Sequence, residues 1–276
     1  MKRNLVLPVA GAVVLLAAIV LAAGGKLPWT GSRPADSCDI PVDIPDRVTA
    51  SSSTSGGGIK VVDQGFSQSP SGLVSLGAVV ENAGTDVAYR VPVKFRLFDA
   101  AHHELREVAA GEIPVLLPGQ RIGAGKGTYA RDTTVVTVET AVGPNAWLPP
   151  TAVGSLGPVN ATYLRTLRYY PDNPAYVDVH YRETSTNCRA LDSHATVALF
   201  RDPAGRIIGG DSGPAGMPLT FQDTHGNDIV VERQVPSSPS CSPGERETWV
   251  IPSVGGPVTG DDARTEVYPY CALGAE

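Results

Sequence analysis

Val91-Pro92-Val93-Lys94-Phe95-Arg96-Leu97-Phe98-Asp99 decides the fold class. Val91, Val93, Phe95 and Leu97 alternate with Pro92, Lys94, Arg96 and Phe98. That is the period-two pattern of a strand with one face in a core. After Asp99, Ala100-Ala101-His102-His103 makes a tight connection to a further strand at 104–108. Upstream lie apolar runs at 59–66 and 73–80, then the turn cluster Asn82-Ala83-Gly84-Thr85-Asp86. Downstream, 113–117 runs into Pro118-Gly119-Gln120, a strong turn signal, and 121–131 and 134–142 follow. About seven strands with turns at short intervals make the pattern of an immunoglobulin-like sandwich.

A second copy of this plan is expected downstream. Residues 176–182 place Val177, Val179 and Tyr181 on one face, and 196–200 leads into Arg201-Asp202-Pro203-Ala204-Gly205-Arg206, a turn like the one after Asp99. Pro243-Gly244-Glu245-Arg246 echoes Pro118-Gly119-Gln120-Arg121, and a last strand near 263–271 matches 134–142 in place. From Asp99 to Pro118 is 19 residues, but from Asp202 to Pro243 is 41, so the second copy carries an insertion within 209–240. The expectation is an all-β chain of two tandem immunoglobulin-like β-sandwiches, at 59–150 and 155–276, behind an N-terminal transmembrane or signal-anchor helix. The alternative is two unrelated β domains that share common turn residues.

The chain has 276 residues, room for two cores of ordinary size. Gly 30 and Pro 24 with only 18% charged residues fit many turns and few polar helices. The net charge of −6, with no basic cluster after Lys2 and Arg3, argues against nucleic-acid binding. Lys2 and Arg3 precede an unbroken apolar run at 5–23. At 1.5 Å per residue it reaches about 28 Å, roughly one bilayer core. The charges before it stay in the cytoplasm and send the rest outside. Residues 1–25 are therefore a cytoplasmic tail with a membrane anchor, or a signal peptide cleaved near Ala23-Gly24-Gly25. Residues 26–58, with Ser51-Ser52-Ser53-Thr54-Ser55-Gly56-Gly57-Gly58, read as a stalk. The expected place is the cell membrane, single-pass, with the bulk of the chain extracytoplasmic.

Four cysteines in an exported chain imply disulfides. Cys241 stands just before one expected strand and Cys271 ends the next; if those strands pair antiparallel, the two come within bridging reach. Elimination leaves Cys38 with Cys188. Such bridges act structurally, adding a few kcal/mol by closing loops of the unfolded chain.

Phe95-Arg96-Leu97-Phe98-Asp99 resembles the FxLYD motif of bacterial envelope β-sandwich domains, with Phe98 for the Tyr. Gly77-Ala78-Val79-Val80-Glu81-Asn82 and Leu117-Pro118-Gly119 resemble the same framework, and the layout is similar to membrane-anchored proteins of actinobacteria. In the second half, Leu199-Phe200-Arg201-Asp202 departs from the motif. The resemblance implies a fold and a location. Its motif residues are core and turn residues, so it carries over no catalytic role.

Gly210-Asp211-Ser212-Gly213-Pro214 resembles the Gly-Asp-Ser-Gly-Gly-Pro motif around the nucleophile of chymotrypsin-like proteases, and Ala100-Ala101-His102 resembles the stretch carrying their general base. That chemistry needs Ser212 hydrogen-bonded to His102 and a buried Asp orienting the imidazole. The second glycine is missing, and His102 falls in a turn of the other expected domain. Turn composition explains Gly-Asp-Ser-Gly equally well. His102-His103, His180, His194 and His225 lack metal-ligand spacing, Asp261-Asp262 lacks the EF-hand pattern, and Gly123-Ala124-Gly125-Lys126-Gly127-Thr128 lacks Walker spacing and reads as a flexible edge strand. No catalytic residue, metal or cofactor is expected. Tyr268 and Tyr270, on one strand face, and Trp249 are the candidate binding aromatics, alongside the insertion at 209–240. Tyr163, Tyr169 and Tyr170 add to the aromatic content of this half. The expected function is non-enzymatic binding or assembly outside the membrane, with a protein or glycan of the cell envelope as partner. The alternative is a secreted serine hydrolase using Ser212 and His102.

Overall fold

In the computed structural model the organising strand is β3 (Val87–Phe98). Val91, Val93, Phe95 and Leu97 are buried, while Lys94 and Arg90 are exposed. Lys94 pairs with Glu107 at 2.7 Å, and Arg96 with Glu104 and Glu139, so the outward face is a solvated ladder of cross-strand ion pairs. The structure describes residues 38–44, 58–131, 133–168, 177–215, 219–222, 228–231, 240–252 and 260–274. The expected anchor at 5–23, much of the expected stalk, and Tyr169, Tyr170 and His225 lie outside them. Among the described residues no helix is long and apolar enough to cross a membrane.

The chain is all-β, arranged in several antiparallel sheets. In the first half, β1 (Ile59–Gln68), β2 (Leu73–Asn82) and β5 (Arg121–Tyr129) form one sheet in the order β1-β2-β5. Against it stand β4 (Glu104–Leu116), β3 and β6 (Thr137–Val142), with β7 (Ala146–Leu148) paired to the start of β3. In the second half, β8 (Asn160–Arg168), β9 (Val177–Ser185) and β14 (Gly244–Val250) form the order β14-β9-β8. Then β11 (Ile207–Gly213), β10 (Asp192–Arg201) and β15 (Glu266–Ala272) form β11-β10-β15. Apart from β7, the pairing repeats that of the first half. The hairpin β12 (Leu219–Gln222) with β13 (Asp228–Val231) falls inside the stretch expected as an insertion.

The turns repeat as well. Asp99 N–H donates to His103 O and the Asp99 carboxylate accepts from His103 N–H; Asp202 N–H donates to Arg206 O and its carboxylate accepts from Arg206 N–H. The fourth residue of each turn has positive φ: His102 at 60° and Gly205 at 84°. Backbone N–H donors hold both carboxyls below their usual range.

The two halves share a core. On β10, Ala198 and Phe200 face Val179, Tyr181 and Val250 of the second half, whereas Val197 and Leu199 join the core of the first half. Measured from the turn aspartate, Val197 and Leu199 occupy the places that Lys94 and Arg96 hold on β3. The partner face belongs to the sheet β1-β2-β5, where β2 is buried on both sides: Val74, Ser75, Leu76, Ala78, Val79 and Val80 are all buried. Contact is backbone to backbone. A Cβ on Gly77 would stand 2.8 Å from Gly209 O, and one on Gly125 would stand 2.6 Å from Asp211 N. Ser75 Oγ accepts from Gly210 N–H at 3.1 Å across the same seam. β5 stands at the edge of its sheet as expected, in unbroken register on β2 from Leu73↔Tyr129 to Glu81↔Arg121, and its glycines form a contact surface with the second half.

A second core closes the junction from the side. Ile40 and Ile44 are buried there with Val87, Val115, Leu148, Val153, Leu191 and Leu273. Residues 39–44, within the expected stalk, are thus part of the fold. Arg189 fixes them by donating to Ile40 O, Pro41 O and Leu273 O. Cys241 and Cys271 are bridged, Cα to Cα 5.8 Å, and Cys38 and Cys188 are also disulfide-bonded. The route to the first bridge differs from the expected one: β14 and β15 do not pair but lie in two different sheets, and the bridge joins the turn before β14 to β15.

Gly125→Val should destabilise the chain by about 3 kcal/mol in urea unfolding, because the new side chain meets fixed backbone. Gly143→Ala, with nothing within 4 Å of the added carbon, should stay within about 0.5 kcal/mol of wild type.

Candidate functional site: a cleft at the junction

The Pro118-Gly119-Gln120 turn is locked from several sides. Gly119, at φ 71°, donates to Asn82 O at 2.8 Å; Asn82 N–H donates to Gln120 O; and Leu117 N–H donates to the Gln120 side chain at 2.9 Å. Asn82 is fully buried and its side chain donates to Asp86 O and Leu116 O while accepting from Gly84 N–H. An amide that satisfies three backbone groups holds a turn in one shape. Facing this turn are the start of β8, at Asn160 and Ala161, and the middle of β15, at Val267, Tyr268 and Pro269. Between them lies a cleft of about 460 Å³, within the size range of small-ligand sites. A cavity of about 30 Å³ that shares Gln120 and Pro269 with it is bordered also by Leu156, Leu191, Tyr270 and Cys271.

The charged groups at the cleft and behind it are paired. Arg121 pairs with Glu81 at 2.6 Å. Tyr268 donates to Glu266 at 2.7 Å, and Glu266 also takes Arg201, which reaches Asp63 of β1 at 2.6 Å. Burial, reinforced by the Glu266 carboxylate, pushes the Tyr268 phenol up, so it stays a neutral donor. The opening offers three prolines, aliphatic side chains, the Asn160 amide and exposed backbone. That lining suits shape recognition and hydrogen bonding.

Tyr268 and Tyr270 do share a face, but the face is packed against β5 and is not an exposed strip. Tyr270 is buried and donates to Gly123 O at 2.7 Å; Tyr268 touches Gly123 and borders the cleft. Trp249, 6% exposed, lies in another sheet beside His180, ring centroids 6.0 Å apart, so the three aromatics form no common patch. The packing of sheet on sheet claims the faces that alternation alone leaves open.

Ser212 lies on β11 opposite Val197, and the neighbouring Asp211 carboxylate accepts from Gly127 N–H of β5 and Ser212 N–H. His102 lies in the β3–β4 turn, stacked on Phe98 at 4.5 Å and 3.8 Å from Glu139. The two stand in sheets on opposite faces of β1-β2-β5. Among the described residues no group of three or more His, Cys, Asp or Glu is placed to hold a metal ion.

The sequence reading missed one buried pair. Glu183 is fully buried, its Oε1 accepts from Cys241 N–H at 2.7 Å, and Arg246 stands 3.3 Å away. Its other oxygen, Oε2, is buried with no hydrogen-bond partner among the described residues. The signal was available, since Glu183 is in phase with Val179 and Tyr181, at a core position of β9. Comparison with protein-family models, with curated proteins and with solved structures finds no match for this chain.

Burial raises the Glu183 carboxyl, outweighing the Cys241 N–H and Arg246, which pull it down. A raised acid contributes stability that is complete below its unfolded value of about 4.3 and is lost as pH rises through the folded value. Unfolding free energies measured against pH should show that loss in wild type and a flatter profile in Glu183→Gln.

Proposed function

We propose that this chain is a non-enzymatic binding or assembly module of the cell envelope, held at the outer face of a membrane by its N-terminal segment. In this reading the two halves are tandem immunoglobulin-like sandwiches of the FxLYD kind, fused through their glycine seam into one frame. The junction cleft carries the reading. It is formed by a locked turn, a strand start and a strand middle, and it is lined for recognition. Its ligand is a protein segment or glycan of the envelope. Support for export comes from the apolar run at 5–23 after Lys2 and Arg3, and from four cysteines with none free.

The test fills the cleft. Asn160 is exposed at its rim, so Asn160→Trp should keep the melting temperature within a few degrees of wild type. Purified peptidoglycan and detergent-solubilised envelope protein are offered separately to both forms. Retention by wild type that drops at least tenfold in the variant supports the cleft as the site. Equal retention by both forms, or none by either, overturns it.

The hydrolase alternative has its own readout. An active-site serine probe should leave the folded, disulfide-intact protein unlabelled. Labelling that disappears in Ser212→Ala would replace the binding reading with a hydrolase.

A further inference from the structure

Two glutamines of β1 act on β6, and on the chain just before it, as a neighbouring strand would. The Gln64 side chain donates to Val138 O at 3.1 Å and accepts from Thr140 N–H at 3.0 Å. The Gln68 side chain donates to Thr133 O at 2.8 Å and accepts from Val135 N–H at 2.9 Å. Each amide takes the C=O of one residue and the N–H of the residue two further on, as one residue of an added parallel strand does. The free edge of the sheet β4-β3-β6 is covered in this way by side chains.

The matching edge of the second half has no such cover. Phe95 and Ala198 each stand four residues before their turn aspartate. Phe95 lies opposite Thr140 and Ala198 opposite Val267, so Val267 holds on β15 the place of Thr140 on β6. Thr140 turns its N–H away from β3, toward Gln64. The same register turns the N–H and C=O of Val267 away from β10. Pro269, two residues on, fits only this arrangement without loss, because a residue lacking an N–H costs the ladder nothing where it faces outward. Among the described residues no side chain bonds to Val267 N–H or C=O, and Val267 borders the junction cleft. Around it Arg121 is paired with Glu81, the Tyr268 hydroxyl is given to Glu266, and Pro118, Pro158 and Pro269 bring no donors. What a ligand can read there is an outward backbone pair, with the Asn160 amide at the rim.

We propose that the occupant of the junction cleft is an extended polypeptide segment paired antiparallel with Val267. Its N–H donates to Val267 O and its C=O accepts from Val267 N–H, so that a guest backbone does on β15 what the Gln64 amide does on β6. Pro269 offers no N–H and ends the pairing after that residue. The main-chain bonds hold the segment and the prolines and aliphatic walls shape the fit of its side chains.

The inference rests on the reading of the cleft as a binding site and names the class of its ligand. The full protein is panned against a phage-displayed library of random peptides, and a selected peptide is synthesised with each backbone nitrogen methylated in turn. Methylation at one or two positions should weaken binding by about tenfold or more. In the complex, NMR should show slower deuterium exchange at the Val267 amide, and Asn160→Trp, checked for an unchanged melting temperature, should lose the peptide. Failure to select any peptide, binding that no methylation weakens, unaltered exchange at Val267, or equal binding by Asn160→Trp overturns the proposal. If any of these occurs while purified peptidoglycan is still retained by wild type and lost by Asn160→Trp, the cleft remains a site and only its peptide ligand falls.

Discussion

Where β2 meets β11 small residues let the backbones approach closely, and the rest of the molecule is arranged around that contact. Ser75 and Gly77 on one side and Gly209 on the other let two sheets touch directly. Val197 and Leu199 then find a core to enter, and the Tyr270 hydroxyl reaches Gly123 O. The usual reason for small residues in strands is local, a bulge or a bend. Here they serve the approach of one sheet to another, so a change at the seam is felt in both halves.

That seam also accounts for where the cleft lies. Sheets joined face to face leave their turns and strand ends side by side at the rim of the contact. The Pro118-Gly119-Gln120 turn of the first half comes to lie against the start of β8 and the middle of β15. Each wall is ordinary in its own sheet, and the recess belongs to the junction.

Much of the fold was legible in the sequence. The alternation at Val91, Val93, Phe95 and Leu97, the two Asp-led turns and the two Pro-Gly turns are local patterns, and local backbone geometry enforces them. The length difference after Asp202 marked the stretch in which the hairpin β12–β13 lies, though not the hairpin itself. The seam was written too, in the unbroken apolar run of β2 and in Val197 and Leu199 standing where charges stand on β3. Reading it required asking what covers the second face of a strand. The cleft was not legible, because its walls are far apart in the chain and meet only through the seam. For Tyr268 and Tyr270 the strand period gave the shared face and left open whether it is packed or exposed, since burial is decided by the neighbouring sheet.

Residues 39–44 thread between the connection joining the halves and the end of the chain. Gly154 leaves no room for a Cβ against Asp39 O, nor does Gly274 against Val42 O, and Arg189 grips carbonyls of both the leading and the trailing segment. One guanidinium thus serves two segments far apart in the chain, and a change that frees the leading segment withdraws a contact from the trailing one.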